Sequence, residues 1–251
     1  MMFFKKRKAA PQGFAAPLAP EVPFYAIGDI HGCDGLLQKL IGQLQEAAHP
    51  SAVLVCVGDY IDRGEESAAV LRRLYEMQTG APEFMTCLMG NHEHMMLRFF
   101  EEPKTHGARW LRYGGLQTLA SFSITGLPGA DAADKEWLDL RSRVADAMGD
   151  DLLAWLRKLP SHWQSGNVHV VHAGADPDLP VATQDRSTLL WGHAEFDKKQ
   201  RSDGQWIVHG HTIVDKTQAK DGRISIDTGA YATGHLTAAL VETGKVSFVT
   251  T

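Results

Sequence analysis

Five short apolar segments of the chain each run into a turn that combines glycine with aspartate, asparagine or histidine. The turns are GDIHG (28–32), GDYIDRG (58–64), GNHE (90–93), HAG (172–174) and HGHT (209–212). Apolar runs as short as those before the turns are typical of strands buried in a sheet. Because open α/β sheets place their sites beyond the carboxyl ends of the strands, we expect the five turns to converge although they are far apart in sequence.

The segments between the turns indicate an α/β fold. Apolar residues recur at helical spacing between 36 and 44 and between 70 and 77, which predicts helices with one apolar face. Residues 236–241 and 246–249 predict a hairpin that completes a sheet. Alternating strands and helices are expected to build one layered domain. The buried strands are predicted at 24–27, 52–57, 84–89, 168–171, 206–208 and 224–226.

Two parts of the chain lack this alternation. Residues 1–22 contain several prolines and predict a flexible N-terminal tail before a domain that spans 23–251. Between about 103 and 163 the strand signal disappears, and leucines at helical spacing predict a helical insertion with a loop at 126–133. The aromatic residues of this insertion are interpreted as core residues rather than as the lining of a cleft.

The composition argues against several classes of protein. With 251 residues, of which 44% are apolar and 22% charged, the chain fits an ordinary globular domain. Its net charge of −5 implies no basic face, so we expect no nucleic-acid partner. No apolar run approaches the roughly 18 residues of a spanning helix, so we expect no membrane partner. The three cysteines are too few for a disulfide framework, which predicts a cytoplasmic protein.

The side chains of the five turns indicate a site for metal ions. Mixed carboxylate, amide and imidazole ligands suit manganese, iron or zinc, whereas calcium prefers oxygens alone and structural zinc prefers thiolates. The ligands are too many for one tetrahedral ion, but they fit two divalent ions about 3.5 to 4 Å apart that share one carboxylate. The glycines are expected to let the backbone turn sharply and approach an ion or a phosphate closely.

In order and spacing, the five turns resemble the signature motifs of the phosphoprotein phosphatase family, over residues 24–231. The resemblance implies an α/β fold of the calcineurin-like metallophosphoesterase type, a layered β-sandwich core flanked by helices. It also implies two divalent metal ions, with manganese favoured and iron or zinc as alternatives. His209 lies outside the implied ligand set, and Asp59 within it would bind both ions. The implied ligands are Asp29, His31, Asp59, Asn91, His172 and His211.

The same resemblance implies hydrolysis of a phosphate ester by a hydroxide that bridges the metals and attacks phosphorus in line. Arg63 is similar to the arginine with which the family clamps phosphate, and a planar guanidinium fits phosphate oxygens well. His92 is similar to the proposed general acid, and Asp62 would orient its imidazole. Glu93 and Asp227 are interpreted as supporting groups that hold ligands or backbone in place.

The chain departs from the family pattern after the HAG turn. Bacterial relatives often have an arginine just after the tryptophan of this region, where the chain reads LLWGHAEF. His193, Arg186 and Arg201 are candidates for the missing phosphate contact. The predicted substrate-binding residues are Arg63, His193 and Tyr231. Four histidines outside the motifs are interpreted as ordinary surface or core residues: His94, His106, His162 and His169.

The chain's last segment, IDTGAYATGHLTAAL (226–240), resembles the bacterial branch of the family, which includes symmetrical diadenosine tetraphosphate hydrolases. The resemblance therefore predicts a Ser/Thr-type protein phosphatase, with a symmetrical dinucleotide polyphosphate hydrolase as the alternative. The expected partner is a phosphorylated protein or a small phosphoester. A third hypothesis is a catalytically silent metal-binding interaction protein, which the presence of Asp59, Arg63 and His92 argues against.

Overall fold

The computed structural model describes residues 13–47, 49–129 and 131–251. Its strands are β1 (Phe24–Ile27), β2 (Val53–Cys56), β3 (Met85–Cys87), β4 (His162–Ser165), β5 (Val168–Val171), β6 (Trp206–His209), β7 (Gln218–Lys220), β8 (Arg223–Ser225), β9 (Thr237–Glu242) and β10 (Lys245–Thr250). Its helices are α1 (Asp34–Ala47), α2 (Ser67–Gly80), α3 (Asn91–Glu101), α4 (Pro103–Trp110), α5 (Leu116–Ser121), α6 (Asp134–Met148), α7 (Asp150–Lys158), α8 (Arg186–Trp191) and α9 (Ala230–Thr233). A π-helical turn (Leu111–Gly115) joins α4 to α5, and a 3-10 turn (Val181–Thr183) precedes α8.

The strands form two five-stranded sheets. The first sheet has the order β10-β9-β1-β2-β3, in which β1, β2 and β3 are parallel. The second sheet has the order β4-β5-β6-β8-β7, in which β5, β6 and β8 are parallel and both edge strands are antiparallel to their neighbours. In each sheet the parallel strands therefore end at one edge, where the predicted turns begin.

Successive residues of the central strands pack into different cores, as the two faces of a strand require. Phe24 and Ala26 of β1 join a cluster with Val168, Val170 and other residues of the second sheet. Tyr25 and Ile27 of β1 belong instead to a larger cluster that includes residues of the helices. A strand buried on both faces reads as a continuous apolar run, which explains why the central strands were predictable from sequence. The predicted α/β fold, a β-sandwich core flanked by helices, is confirmed.

The predicted helical insertion consists of α4, the π-helical turn, α5, α6 and α7. Its tryptophans are largely core residues: Trp110, Trp137 and Trp155 are buried, whereas Tyr113 is exposed. The last helix ends at Lys158, and β4 already begins at His162, before the predicted boundary at 163. Two edge strands, β4 and β7, were missed because HWQS and QAK contain no apolar run.

The N-terminal segment differs from the predicted flexible tail where it is described. Residues 13–22 lie against the second sheet. The ring of Phe14 packs edge-on against that of Trp206, with centroids 5.1 Å apart, and Leu18 is buried between the sheets. Asn167 Oδ1 accepts a hydrogen bond from the backbone amide of Ala19. The basic cluster at 5–8 lies outside the described residues. Within the described ranges, no helix has both the length and the apolar character needed to cross a membrane.

Candidate metal centre and active site

The structure brings the five turns together at the edge where the parallel strands of both sheets end. Two groups of side chains place one ligand atom each within 4.8 Å of one another. The first group is His31, Asp59 and His92, and the second is Asp59, His172 and His211. Asp59 belongs to both groups, and it joins residues that follow strands of the first sheet to residues that follow strands of the second.

The carboxylate of Asp59 lies at the centre of the site. Its Oδ1 accepts a hydrogen bond from the backbone amide of His92 at 3.0 Å, which fixes the rotation of the carboxylate. Its Oδ2 lies 3.6 Å from His31 Nε2, 3.4 Å from His172 Nε2 and 3.9 Å from His92 Nε2. One oxygen faced by three imidazoles is the arrangement expected of a carboxylate shared between two cations.

Backbone carbonyls fix the tautomers of two histidines. His31 Nδ1–H donates to the carbonyl of Ile61 at 2.8 Å, and His172 Nδ1–H donates to that of Val57 at 3.2 Å. Both Nε2 atoms are therefore left with a lone pair that faces Asp59. His172 Nε2 also lies 2.7 Å from Asn91 Oδ1, which is itself an acceptor. Hydrogen-bond acceptors that converge with no N–H or O–H between them fit a bound cation. These side chains therefore suit the divalent metals of the predicted site.

Burial and charge set the protonation of these groups. Burial lowers the pKa of His31 to about 3 and that of His211 to about 4, so both imidazoles are neutral near pH 7, as metal ligands must be. Burial opposes ionisation of Asp59, but the imidazoles of His172, His92 and His31 hold its pKa well below its usual range. Asp59 is therefore a carboxylate when the site is formed.

The structure places Asp29 differently from the other predicted ligands. Its carboxylate accepts hydrogen bonds from the backbone amide of His211, at 3.1 Å to Oδ1 and 2.9 Å to Oδ2, and it belongs to neither group of ligand atoms. Burial, followed by the nearby carboxylates of Asp227 and Asp59, raises the pKa of Asp29 well above its usual range. Crowded, buried carboxylates repel one another, and a cation would relieve that repulsion.

Several site residues have backbone angles in the left-handed region that residues with a side chain rarely adopt. The φ angles are 44° at His31, 53° at Asp59, 71° at Asp62, 69° at Arg63 and 65° at His211. Such conformations cost about 1 to 3 kcal/mol each and cluster at functional sites. The turns therefore hold these side chains at a cost to stability, which the sequence did not reveal.

His92 and Asp62 form a buried pair beside the metal ligands. His92 Nδ1–H donates to Asp62 Oδ2 at 2.7 Å, and His92 Nε2 lies 3.3 Å from Arg63 Nη2. Burial lowers the pKa of His92, but the carboxylates of Asp59 and Asp62 outweigh it and raise that pKa overall. The contact with Asp62 therefore favours the charged form of the His92 imidazole.

Two residues of the helical insertion hold Asp62 in place. The hydroxyl of Thr118 donates to Asp62 Oδ1 at 2.6 Å, and Trp110 Nε1–H donates to the same carboxylate at 3.1 Å. Both supporting residues are fully buried. Sequence analysis missed them as functional residues, because no local pattern links a turn at 58–64 to side chains about fifty positions later.

Glu93 holds the GDYIDRG turn through the backbone. Its Oε2 accepts hydrogen bonds from the amides of Asp59 and Gly90, and its Oε1 from those of Tyr60 and Ile61. Burial, and then the charge of Asp59, raises the pKa of Glu93 to about 7, while the Tyr60 amide opposes this rise. These contacts agree with the interpretation of Glu93 as a group that holds the backbone rather than as a ligand.

The predicted substrate-binding residues fall in different places. The Arg63 guanidinium lies 4.8 Å from the centre of the Tyr231 ring, which also packs edge-on against His31 at 5.3 Å, so both residues border the metal ligands. His193 faces Asp176 instead, with Nε2 3.8 Å from Oδ2. Its role therefore stays a prediction without a contact to the metal ligands.

Two other interpretations can be placed in the structure. Arg201 is buried, donates to the carbonyls of Asp176 and Leu179, and pairs with Asp203, so most of its N–H donors are already used within the protein. His209 is buried at the end of β6, and its Nε2 lies 2.9 Å from the hydroxyl of Ser225. It belongs to neither ligand group, as expected of a structural histidine.

Comparisons with known proteins agree with this geometry. The model of the calcineurin-like phosphoesterase family matches residues 22–215. The chain is 27% identical to Serine/threonine-protein phosphatase 1 of Salmonella typhimurium over 87% of the chain and 91% of that protein. It is 33% identical to the symmetrical bis(5'-nucleosyl)-tetraphosphatase of Ectopseudomonas mendocina, over 63% of the chain but only 47% of that relative.

The fold is shared with solved structures. The crystal structure of the cold-active protein-tyrosine phosphatase of a psychrophilic Shewanella species aligns with a TM-score of 0.59 and 16% identity, over 94% of this chain and 83% of that one. At that identity the likeness supports the fold alone. The family model, by contrast, covers most of the chain and all five turns. The chain therefore belongs to the calcineurin-like phosphoesterase family of metal-dependent hydrolases.

Proposed function

We propose that this phosphoesterase is a Ser/Thr-type protein phosphatase that works with two divalent cations. The observation that carries the proposal is the position of Asp59 Oδ2. This oxygen faces His31 of the first ligand group and His172 of the second, and it lies 3.9 Å from His92 Nε2. We assign the metal ligands as Asp29, His31, Asp59, Asn91, His172 and His211, with Asp59 shared. His92, Asp62 and Arg63 are the proposed catalytic residues.

Each protein group has a distinct part in this mechanism. Two cations held by these ligands would supply an activated water for in-line attack on phosphorus. Arg63 can hold the phosphoryl oxygens through two parallel N–H donors. His92 can give its Nε2 proton to the leaving oxygen, because Asp62 holds the opposite ring nitrogen and favours the charged imidazole. No side chain needs to form a bond with phosphorus.

The choice of substrate is supported by how much of each relative is matched. The Ser/Thr phosphatase of Salmonella typhimurium is matched over 91% of its length, whereas the symmetrical tetraphosphatase of Ectopseudomonas mendocina is matched over about half. A symmetrical dinucleotide polyphosphate hydrolase is the second candidate, favoured by the higher identity of 33% within the matched part.

The metal and the compartment are proposed on chemical grounds. Mixed oxygen and imidazole ligands suit manganese, with iron or zinc as alternatives. Cys33, Cys56 and Cys87 are all free thiols, and the latter two are buried next to each other on β2 and β3. Free thiols are usual where the surroundings are reducing, so a cytoplasmic location is proposed.

The test is a substrate comparison with purified protein stripped of metal by a chelator. Adding Mn²⁺ should restore hydrolysis of p-nitrophenyl phosphate, and phosphoserine and phosphothreonine peptides should then have a higher kcat/KM than diadenosine tetraphosphate. Faster turnover of the dinucleotide would support the second candidate instead. No turnover of any of these substrates with Mn²⁺, Fe²⁺ or Zn²⁺ would support the silent binding protein.

A further inference from the structure

A cavity of about 340 Å³ opens beside the helical insertion, outside the proposed catalytic groups. We call it the insertion pocket. Its walls come from α3, α4 and the region of α8. The residues used below are His94, Arg98, His106, Arg109, Trp110 and Trp191.

The insertion pocket is lined by two arginines and two histidines. Arg98, Arg109, His94 and His106 all contribute to its walls, in a chain whose net charge is −5. Glu101 pairs with Arg98 at 2.7 Å, but this carboxylate is not part of the lining. In the described part of the chain, Arg109 has no carboxylate within 4 Å, and its guanidinium lies over the rings of Tyr113 and Trp191 instead. An exposed arginine beside aromatic rings can still offer its N–H donors to an anion.

Arginines lie in and around the insertion pocket. Burial lowers the pKa of His94, and the next causes are the charges of Arg186 and Arg98. Arg186 is exposed, and among the described residues its only hydrogen-bond acceptor is the carbonyl of Leu159 at 3.5 Å. Uncompensated positive charge in a concave surface attracts anions, since low-dielectric walls focus the field.

Two side chains, Trp110 and Asp62, separate the pocket from the proposed general acid His92. Trp110 forms part of its wall, and the indole N–H of the same residue donates to Asp62, the partner of His92. His92 and His94 lie on the same helix, α3. The pocket and the proposed catalytic groups therefore lie on either side of the contact between Trp110 and Asp62.

We propose that the insertion pocket binds acidic side chains that flank the phosphorylated residue, so that the protein prefers acidic phosphopeptides. This inference rests on the proposed protein phosphatase function. Arg109 supplies the main contact, because it is exposed and unpaired at the mouth of the pocket. Flanking glutamates or aspartates complement the positive charge of the arginines, whereas neutral flanks leave the guanidinium groups solvated and add no binding energy.

The test compares two phosphoserine peptides that differ only in their flanks, with glutamates in one and glutamines in the other. At low ionic strength we expect kcat/KM of the wild type to be about tenfold higher for the acidic peptide, the scale of one hydrogen bond to a charged group. Arg109→Ala should remove this preference while leaving turnover of the glutamine peptide and of p-nitrophenyl phosphate unchanged. The matched control is Arg157→Ala, an exposed arginine of α7 outside the pocket, which should keep the preference.

Several results would overturn the proposal. The wild type could show no preference for the acidic peptide, or both arginine variants could lose the preference equally. Arg109→Ala could also lower kcat/KM for both peptides by the same factor. A loss in Arg109→Ala confined to diadenosine tetraphosphate would assign the pocket to a nucleotide instead. Anisotropy of fluorescent versions of the two peptides gives a reading without turnover. The protein could fail to hydrolyse any of these substrates while Arg109→Ala still abolishes selective binding of the acidic peptide. That result would support the role of the pocket and contradict the proposed function.

Discussion

The backbone amide of Arg63 donates a hydrogen bond to the carbonyl of Gly114, at 3.3 Å. This contact joins the GDYIDRG turn to the π-helical turn of the insertion. Gly114 has a φ of 118°, and a β-carbon there would lie 2.6 Å from the Arg63 amide nitrogen. The insertion therefore packs directly against the backbone that positions the proposed phosphate clamp.

Gly114→Ala should displace that backbone. We expect the free energy of unfolding to fall by roughly 1 to 3 kcal/mol, because alanine is strained at this φ angle. Turnover of p-nitrophenyl phosphate should fall as well, with metal content unchanged. Urea unfolding and metal analysis check both effects. Gly129→Ala, in an open loop where a β-carbon meets nothing within 4 Å, is the control. Equal stability of the two variants would contradict the contact.

His92→Asn should slow hydrolysis without releasing metal. General acid catalysis contributes about 10²- to 10⁴-fold, and its loss matters most when the leaving oxygen is a poor leaving group. Phosphoserine peptides should therefore lose more kcat than p-nitrophenyl phosphate, whose leaving group departs easily. Steady-state kinetics on both substrates test this difference. The same factor for both would show that His92 does not protonate the leaving group.

Asp59→Asn should lose metal and activity together, because Asp59 is the residue common to both ligand groups. An amide is a weaker ligand than a carboxylate and leaves the site with less negative charge. Bound metal should be measured by mass spectrometry after gel filtration, alongside turnover. Asp221→Asn, a half-buried aspartate of the β7–β8 turn, serves as the control. Full metal content with full activity in Asp59→Asn would refute the shared role.

Thr118→Val removes the hydroxyl that donates to Asp62 while keeping the shape of the side chain. Losing a partner that orients a catalytic group typically costs about 10- to 100-fold in activity. We expect a fall in kcat of that size for phosphopeptides, a smaller fall for p-nitrophenyl phosphate, and unchanged metal content. Thr118→Ser should restore the hydrogen bond and most of the activity. If serine fails to rescue, Thr118 acts through packing alone.

The pair of His162 and His169 should make the protein sensitive to acid. His162 Nε2 lies 2.7 Å from His169 Nδ1 across β4 and β5. Burial, and then the neighbouring His169, lowers the pKa of His162 to about 4, from about 6.5 in an unfolded chain. Between about pH 4 and about pH 6.5 the unfolded state therefore binds more protons than the folded state. The contribution of the neutral His162 to the free energy of unfolding is complete above about pH 6.5 and declines as the pH falls towards about 4.

His162→Gln should reduce this acid sensitivity. In metal-free protein, the urea midpoint of the wild type should fall more between about pH 7.5 and about pH 5 than that of the variant. His235→Gln, which changes an exposed histidine, is the control and should follow the wild type. Parallel pH profiles in wild type and His162→Gln would rule out a contribution from the pair.

The parts of the fold that were predictable are those in which one local pattern decides the structure. The run FYAI matched β1 and the run VHVV matched β5, because these strands are buried on both faces and carry no polar residue except His169 and Tyr25. The strands β4 and β7 lie at sheet edges with polar sequences, so their pairing depends on neighbours that the sequence does not indicate.

The candidate site was predictable as a set of residues but not as an arrangement. The motifs placed His31, Asp59, His172 and His211 together, whereas the contact of the Asp29 carboxylate with the His211 amide spans 182 positions. The support of Asp62 by Trp110 and Thr118 likewise depends on how the insertion folds back. Such contacts arise from tertiary packing, for which one sequence provides no signal.

The site joins the two layers of the molecule. Asp59 and Asn91 follow strands of the first sheet, whereas His172 and His211 follow strands of the second. Ions bound by all four would cross-link the ends of the two sheets. Chelation should then loosen the whole β-sandwich rather than one loop, and heat resistance should depend on the metal supply during growth.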